Sequence, residues 1–216
     1  MTESSGDTLW LADWRRRVAA LYADVRSRAG SDPVAAWEQW RAERERLYRT
    51  HPQSPVPAVK RASFRARHFS YDPALRFDAL PVEPAPVPAS DAGPLVAALP
   101  VSDGGAMSFT RIGRVEVPFP EGGRPLAVYW MAGYAGGLFL PFRDATNGAE
   151  TYPAGRYALD AAKSADLGGD PAAGTLVVDF NFAFQPSCAF DPRWACPLAP
   201  PENRLDLAVR AGERLT

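Results

Sequence analysis

A mainly β chain, α+β overall, is what this 216-residue sequence predicts: an antiparallel meander curling into a barrel or sandwich, preceded by an N-terminal two-helix arm. Three observations lead there. Apolar residues up to about Thr50 recur in steps of three and four, whereas from Ser63 onward they alternate. The alternating runs follow one another through glycine turns rather than through helices. That last feature argues against a doubly wound nucleotide fold, which needs regular βα alternation. The expected division is a helical arm over residues 1–60, packed on the body, and an antiparallel β domain over 61–216.

Within residues 8–28 the apolar positions Trp10, Trp14, Val18, Leu21 and Val25 mark one face of a helix, which Gly30 ends. Ser31-Asp32-Pro33 then supplies a cap and a proline at a helix start. The second helix carries Trp37, Trp40 and Leu47 on one side and stops at His51-Pro52. A first strand pair is expected from 64–69 and 74–80, around the turn Tyr71-Asp72-Pro73. Six prolines between 81 and 100 predict a surface crossing without regular structure. Asp103-Gly104-Gly105 and Glu121-Gly122-Gly123 flank a hairpin of 107–117 and 126–131, in which Val115 and Val117 share one face and Ile112, Arg114 and Glu116 the other. Strands at 138–142, 156–160, 175–182 and 205–210 complete about eight.

Composition narrows the function. With 46% hydrophobic and 11% aromatic residues the chain can bury a real core. Net charge is −1, but residues 1–70 carry 13 basic and 8 acidic side chains, and residues 71–216 carry 11 and 17. The basic runs at 15–17 and 60–67 read as solvated helix faces, because acids are interleaved with them, and no nucleic-acid partner is expected. No run of about 18 apolar residues exists, so no membrane partner is expected. The start lacks the basic-then-apolar order of a signal peptide; a cytoplasmic location and reduced thiols are the expectation. Two cysteines do not make a closed four-ligand zinc site, so no metal is expected, and the sequence names no cofactor.

Chemistry concentrates in the last third. On a strand over 175–182, Leu176, Val178, Phe180 and Phe182 would share the core face, leaving Asp179 and Asn181 side by side on the other, in need of partners if buried. The proline-rich loop 185–203 is long and stiff, and holds Cys188 and Cys196. The cysteines admit three readings: buried packing thiols, a disulfide or redox pair, or a nucleophilic Cys188. The last needs a base, and His51 and His68 both lie far away in sequence. Asp144, Thr146, Glu150, Tyr152, Arg156 and Tyr157 form a second polar group, in which Arg156 could grip a carboxylate or phosphate.

The strings P-F-R-D-A-T-N-G-A-E-T-Y-P-A-G-R-Y (141–157) and D-F-N-F-A-F-Q-P-S-C-A-F-D-P-R-W-A-C-P-L-A-P-P-E-N-R-L (179–205), with the closing A-G-E (211–213), resemble family 1684 of the domains of unknown function. The resemblance implies a bacterial family with no assigned activity. It also implies that Asp144, Thr146, Arg156, Tyr157, Asp179, Asn181, Cys188, Cys196, Glu202 and Asn203 act together. The favoured function is a binding protein or enzyme for a small polar or anionic molecule, its pocket between 144–157, 176–182 and 185–203. Arg156 would hold the anion, with Asp144, Thr146, Tyr157, Asn181 and Asn203 around the ligand. Cys188, Asp179 and Glu202 would be the catalytic candidates. The alternative is a structural or interaction domain whose signature residues tie the long loop to the sheet. There the N-terminal helices would dock a partner or a second copy of the chain.

Overall fold

The computed structural model describes residues 5–86, 96–133 and 136–215. Helix α1 (Ser5–Arg28) and helix α2 (Pro33–Thr50) form the arm. Asp32 caps α2 by accepting from the Ala35 amide at 3.0 Å, with Pro33 at the first helical position, where a missing N–H costs nothing. Trp37, Trp40, Leu47 and Tyr48 of α2 are buried, while Trp10 near the start of α1 stays exposed. A single turn, α3 (Ala58–Arg61), leads to the strands.

Strand β1 (Arg67–His68) pairs with β10 (Glu213–Arg214) at the other end of the chain. Between them come β2 (Arg76–Pro84), β3 (Val96–Pro100), β4 (Ala106–Phe119), β5 (Gly122–Met131), β6 (Gly137–Phe142), β7 (Arg156–Asp160), β8 (Gly169–Asp170) and β9 (Thr175–Asp179). They make one antiparallel sheet in the order β7-β6-β5-β4-β2-β9-β8, with β3 also on β4, and the sheet curls into a half-barrel.

Four local expectations are corrected. The segments 64–69 and 74–80 do not pair with each other, because β1 is claimed by β10 and β2 by β4 and β9. Proline does not end β2, which runs through Pro81 to Pro84; the part of the expected crossing at 87–95 lies outside the described residues. The strand at 175–182 stops at Asp179, whose carboxylate accepts from the Asn181 amide and turns the chain into a 3-10 turn. Phe182 therefore leaves the face of Phe180 and packs on Trp40 at 5.2 Å. Residues 205–210 bury alternate side chains but bend at 206–207 and do not join the sheet as a strand; their neighbour is the 143–145 segment, through Leu205 N to Arg143 O at 2.7 Å and Ala145 N to Leu207 O at 2.9 Å.

Strand β5 buries four consecutive residues, Leu126 to Tyr129, because both faces of the sheet are covered. Leu126 and Val128 face an inner core with Val115, Phe142, Phe180, Leu205 and Val209; Ala127 and Tyr129 face an outer core with Trp37, Trp40 and Phe182 beneath the helices. A bulge at Ile112 lets β4 serve both, since one extra residue shifts the alternation by a face. Phe109 consequently lies in the outer core and Val115 in the inner one. Ile112, expected on the polar face, is half-buried against the inner core.

Candidate functional site

Strand β7 aims Arg156 into the inner core, opposite Phe142, where the side chain has no solvent exposure. Its guanidinium donates to Asp144 Oδ2 at 2.6 Å, to Val209 O at 2.7 Å, to Glu213 O at 3.2 Å and to Ala211 O. Burial lowers the Arg156 pKa, and the Asp144 carboxylate opposes that. Asp144 in turn accepts from the amide and hydroxyl of Thr146, whose Oγ1 lies 2.8 Å from Thr151 Oγ1. Arg156 is thus a clasp between the 144–151 turn and the C-terminal segment.

Asp179 and Asn181 are likewise fully buried and fully engaged. Asp179 accepts from Asn181 Nδ2 at 2.8 Å, Arg76 Nη1 at 3.2 Å and Tyr71 Oη at 3.3 Å. Burial raises its pKa, against the hydrogen bonds from Asn181 and Arg76. Asn181 grips both the amide and the carbonyl of Asp72 at 2.8 Å, and its own carbonyl receives Trp37 Nε1 at 2.9 Å. Asn203, also sealed, accepts from Ala127 N and donates to Ala127 O and Pro141 O, stitching β5 to β6. Its neighbour Glu202 is exposed and accepts from Tyr129 Oη at 2.5 Å. Tyr157 donates to Pro197 O at 2.5 Å, fixing the end of the cysteine loop.

The predicted residues therefore fall into separate clusters. Asp144, Thr146 and Arg156 meet; Asp179 and Asn181 meet; Asn203, Glu202, Tyr157 and Cys188 each bond elsewhere. One buried pairing was not legible in the sequence. Arg44 of α2 donates to both carboxylate oxygens of Glu213, at 2.5 and 3.4 Å, and Glu213 also receives the Gln185 amide at 2.8 Å. Burial works to lower the Arg44 pKa, but Glu213 and its neighbours raise it overall. The closing A-G-E string marked Glu213, but nothing in the sequence marked Arg44 as its partner. Gly212, at φ +73°, brings the chain close enough to the sheet that a Cβ there would lie 2.3 Å from Ala183 O.

Cys188 and Cys196 are free and buried. Cys188 sits in a 3-10 turn (Ser187–Ala189), and its amide donates to Cys196 Sγ at 3.3 Å. Tyr152 Oη donates to Cys188 Sγ at 3.6 Å, and Ser102 Oγ accepts from the Cys196 amide at 3.0 Å. The hydrogen bond from the Cys196 thiol draws Cys188 down to about 6, against burial, while Cys196 is pushed far up as the donor that keeps its proton. Among the described residues neither histidine is hydrogen-bonded to a cysteine. His51 is engaged with Asp13 Oδ2 at 3.1 Å and with the Gln53 amide, and His68 lies between Trp37 and Trp40, where burial lowers it to about 4. Among the described residues no group of three His, Cys, Asp or Glu side chains is placed to hold a metal ion, and no helix is long and apolar enough to cross a membrane.

Beside the thiols lies a cleft of about 170 Å³ between α1 and the cysteine loop. Leu11, Trp14, Pro55 and Trp194 form its apolar walls, and Arg15, Gln53, Lys163, Ser187 and Cys196 its polar lining. Lys163 Nζ is 3.0 Å from Asp160, and the side chain is about half exposed. A smaller void of about 50 Å³ shares Trp14, Pro55, Lys163 and Ser187 with the cleft and is also lined by Gln185. Gln185 is buried, and its Oε1 has no partner among the described residues. The loop side of the cleft, Ser187 and Trp194 to Cys196, lies within the expected pocket segment 185–203; Leu11, Trp14, Arg15, Gln53, Pro55 and Lys163 went unrecognised because they are far from that loop in sequence.

The model of a family described as protein of unknown function (DUF1684) matches residues 64–214. An uncharacterized protein of Haloarcula marismortui, solved in solution, is 30% identical with a TM-score of 0.60, the match covering 86% of this chain and 96% of that one. No curated protein matches.

Proposed function

We propose that this chain, which belongs to the DUF1684 family of unknown function, binds a small anion with an apolar body in the cleft between α1 and the cysteine loop. The make-up of that cleft carries the proposal. Tryptophan, leucine and proline walls favour an apolar body, Arg15 and Lys163 favour a negative group, and the orphan carbonyl of Gln185 beside the adjoining void favours a donor on the ligand. The volume, below that of drug-sized pockets, limits the occupant to a small molecule. The anion-binding role first assigned to Arg156 passes to Arg15 and Lys163, since Arg156 is spent on its own chain.

A second reading concerns the signature residues themselves. Asp144, Thr146, Arg156, Asp179, Asn181 and Asn203 are architectural, tying loops and the C-terminal segment to the half-barrel. Their dense internal pairing, complete but for Arg156 Nε among the described residues, favours that role over ligand contact.

The test is a thermal-shift screen of small aryl and alkyl carboxylates against their neutral amides. A ligand at 100 times its Kd should add about 2.7 kcal/mol. Lys163→Gln and Arg15→Gln should abolish that gain while leaving the unliganded melting point in place. Carboxylates and amides acting alike, or undiminished binding in both variants, would refute the assignment.

A further inference from the structure

We propose that Cys188 and Cys196 are an oxidisable dithiol beneath the cleft, converted to an intramolecular disulfide by a hydroperoxide that enters there. This goes beyond ligand binding and stands whether or not the cleft takes an anion.

Three observations carry it. First, the amide of Cys188 lies 3.3 Å from Cys196 Sγ, so the sulfur of one residue is already against the backbone of the other. The Cys196 thiol also hydrogen-bonds to the Cys188 sulfur, so the two sulfurs are neighbours. Second, the sulfurs are not in the apolar surroundings that packing thiols prefer. Cys188 Sγ receives the Tyr152 phenol at 3.6 Å, Cys196 Sγ receives an amide, and the Lys163 ammonium interacts with both. Hydrogen-bond donors and a cation stabilise thiolate, the form that reacts with peroxides. Third, Cys196 lines the cleft, which gives a small oxidant its route. These are the two cysteines of the sequence, so no other thiol of the chain competes.

The chemistry balances with hydrogen peroxide as oxidant. A thiolate of the pair attacks one peroxide oxygen, the O–O bond breaks, and the leaving hydroxide takes a proton to become water. The sulfenic acid so formed is attacked by the second thiol; the S–S bond forms and the sulfenic oxygen leaves as water. Two thiols and one peroxide give one disulfide and two waters, the sulfur pair losing two electrons and the peroxide gaining them.

The experiment uses the full chain, reduced, desalted and treated with a small excess of hydrogen peroxide. Thiol titration under denaturing conditions should fall from two to none, the intact mass should drop by about 2 Da, and dithiothreitol should restore both. Trypsin cuts after Arg193, between the cysteines, so the product should appear as two peptides joined by a disulfide. In Cys196→Ser the reaction should stop at a Cys188 sulfenic acid that dimedone traps. Two thiols persisting in the native chain, a gain of about 32 or 48 Da on one sulfur, or cross-linked dimers would each overturn the proposal. The wild-type measurement decides the matter even if the serine variant does not fold.

Discussion

The inner core and the cleft hold similar side chains in opposite states. Inside the half-barrel, Arg156 has no exposed surface, and its two terminal nitrogens donate to one carboxylate and three carbonyls of its own chain. At the cleft, Lys163 is half exposed and has one carboxylate. A buried cation needs every partner the chain can bring, because desolvation is costly; a cation at a rim keeps water and can exchange it for a ligand. The arginine that looks most like an anion receptor in the sequence is held by groups of its own chain.

Perturbing the sealed side should unfold the protein, and perturbing the cleft should change what it binds. The largest effect is expected for Arg156→Ala, which strands the Asp144 carboxylate in the core and should cost about 3–5 kcal/mol in denaturant titration. A loss below about 1 kcal/mol would break the contrast. Next is acid. His68 stays neutral to about 4 when folded, against 6.5 ordinarily, so between those values the unfolded chain binds the extra proton. Its contribution is complete above pH 6.5 and is lost as pH falls toward 4, by up to about 3 kcal/mol. Urea midpoints at pH 7 and pH 4 should differ less in His68→Phe than in wild type; parallel shifts would remove His68 as the cause. Asn203→Ala should cost about 2–3 kcal/mol, because it leaves two carbonyls and an amide unpaired between β5 and β6. The smallest effect belongs to Lys163→Gln, within about 1 kcal/mol in stability, since the lysine is half exposed and the glutamine amide can still donate to the buried Asp160 carboxylate, but with lost ligand response.

Much of the fold was legible locally. The periods of the two helices, the cap at Asp32, and the β4–β5 hairpin follow from side-chain spacing and turn chemistry that a short window contains. What escaped depends on residues far apart. Whether 64–69 pairs with 74–80 or with the chain end is a competition that β10 decides, and the register shift at Ile112 exists because one strand must serve two cores. For the site, the sequence picked out the residues Asp179, Asn181, Arg156 and Asn203 as unusual polar groups, and each is indeed buried. It did not reveal that each is already held by its own chain, because their partners include backbone carbonyls and amides, which every residue offers and no motif marks.

By itself, then, the sequence determined an antiparallel meander that curls into a barrel or sandwich, the helical arm and the stretch where polar groups and thiols gather. Periodicity and turn residues act over a few positions and survive without tertiary contacts. Only the tertiary structure decided which polar groups face water and which are sealed. That depends on Arg44 meeting Glu213 and on α1 closing over Cys196, and such long-range juxtapositions are set by how the two cores pack.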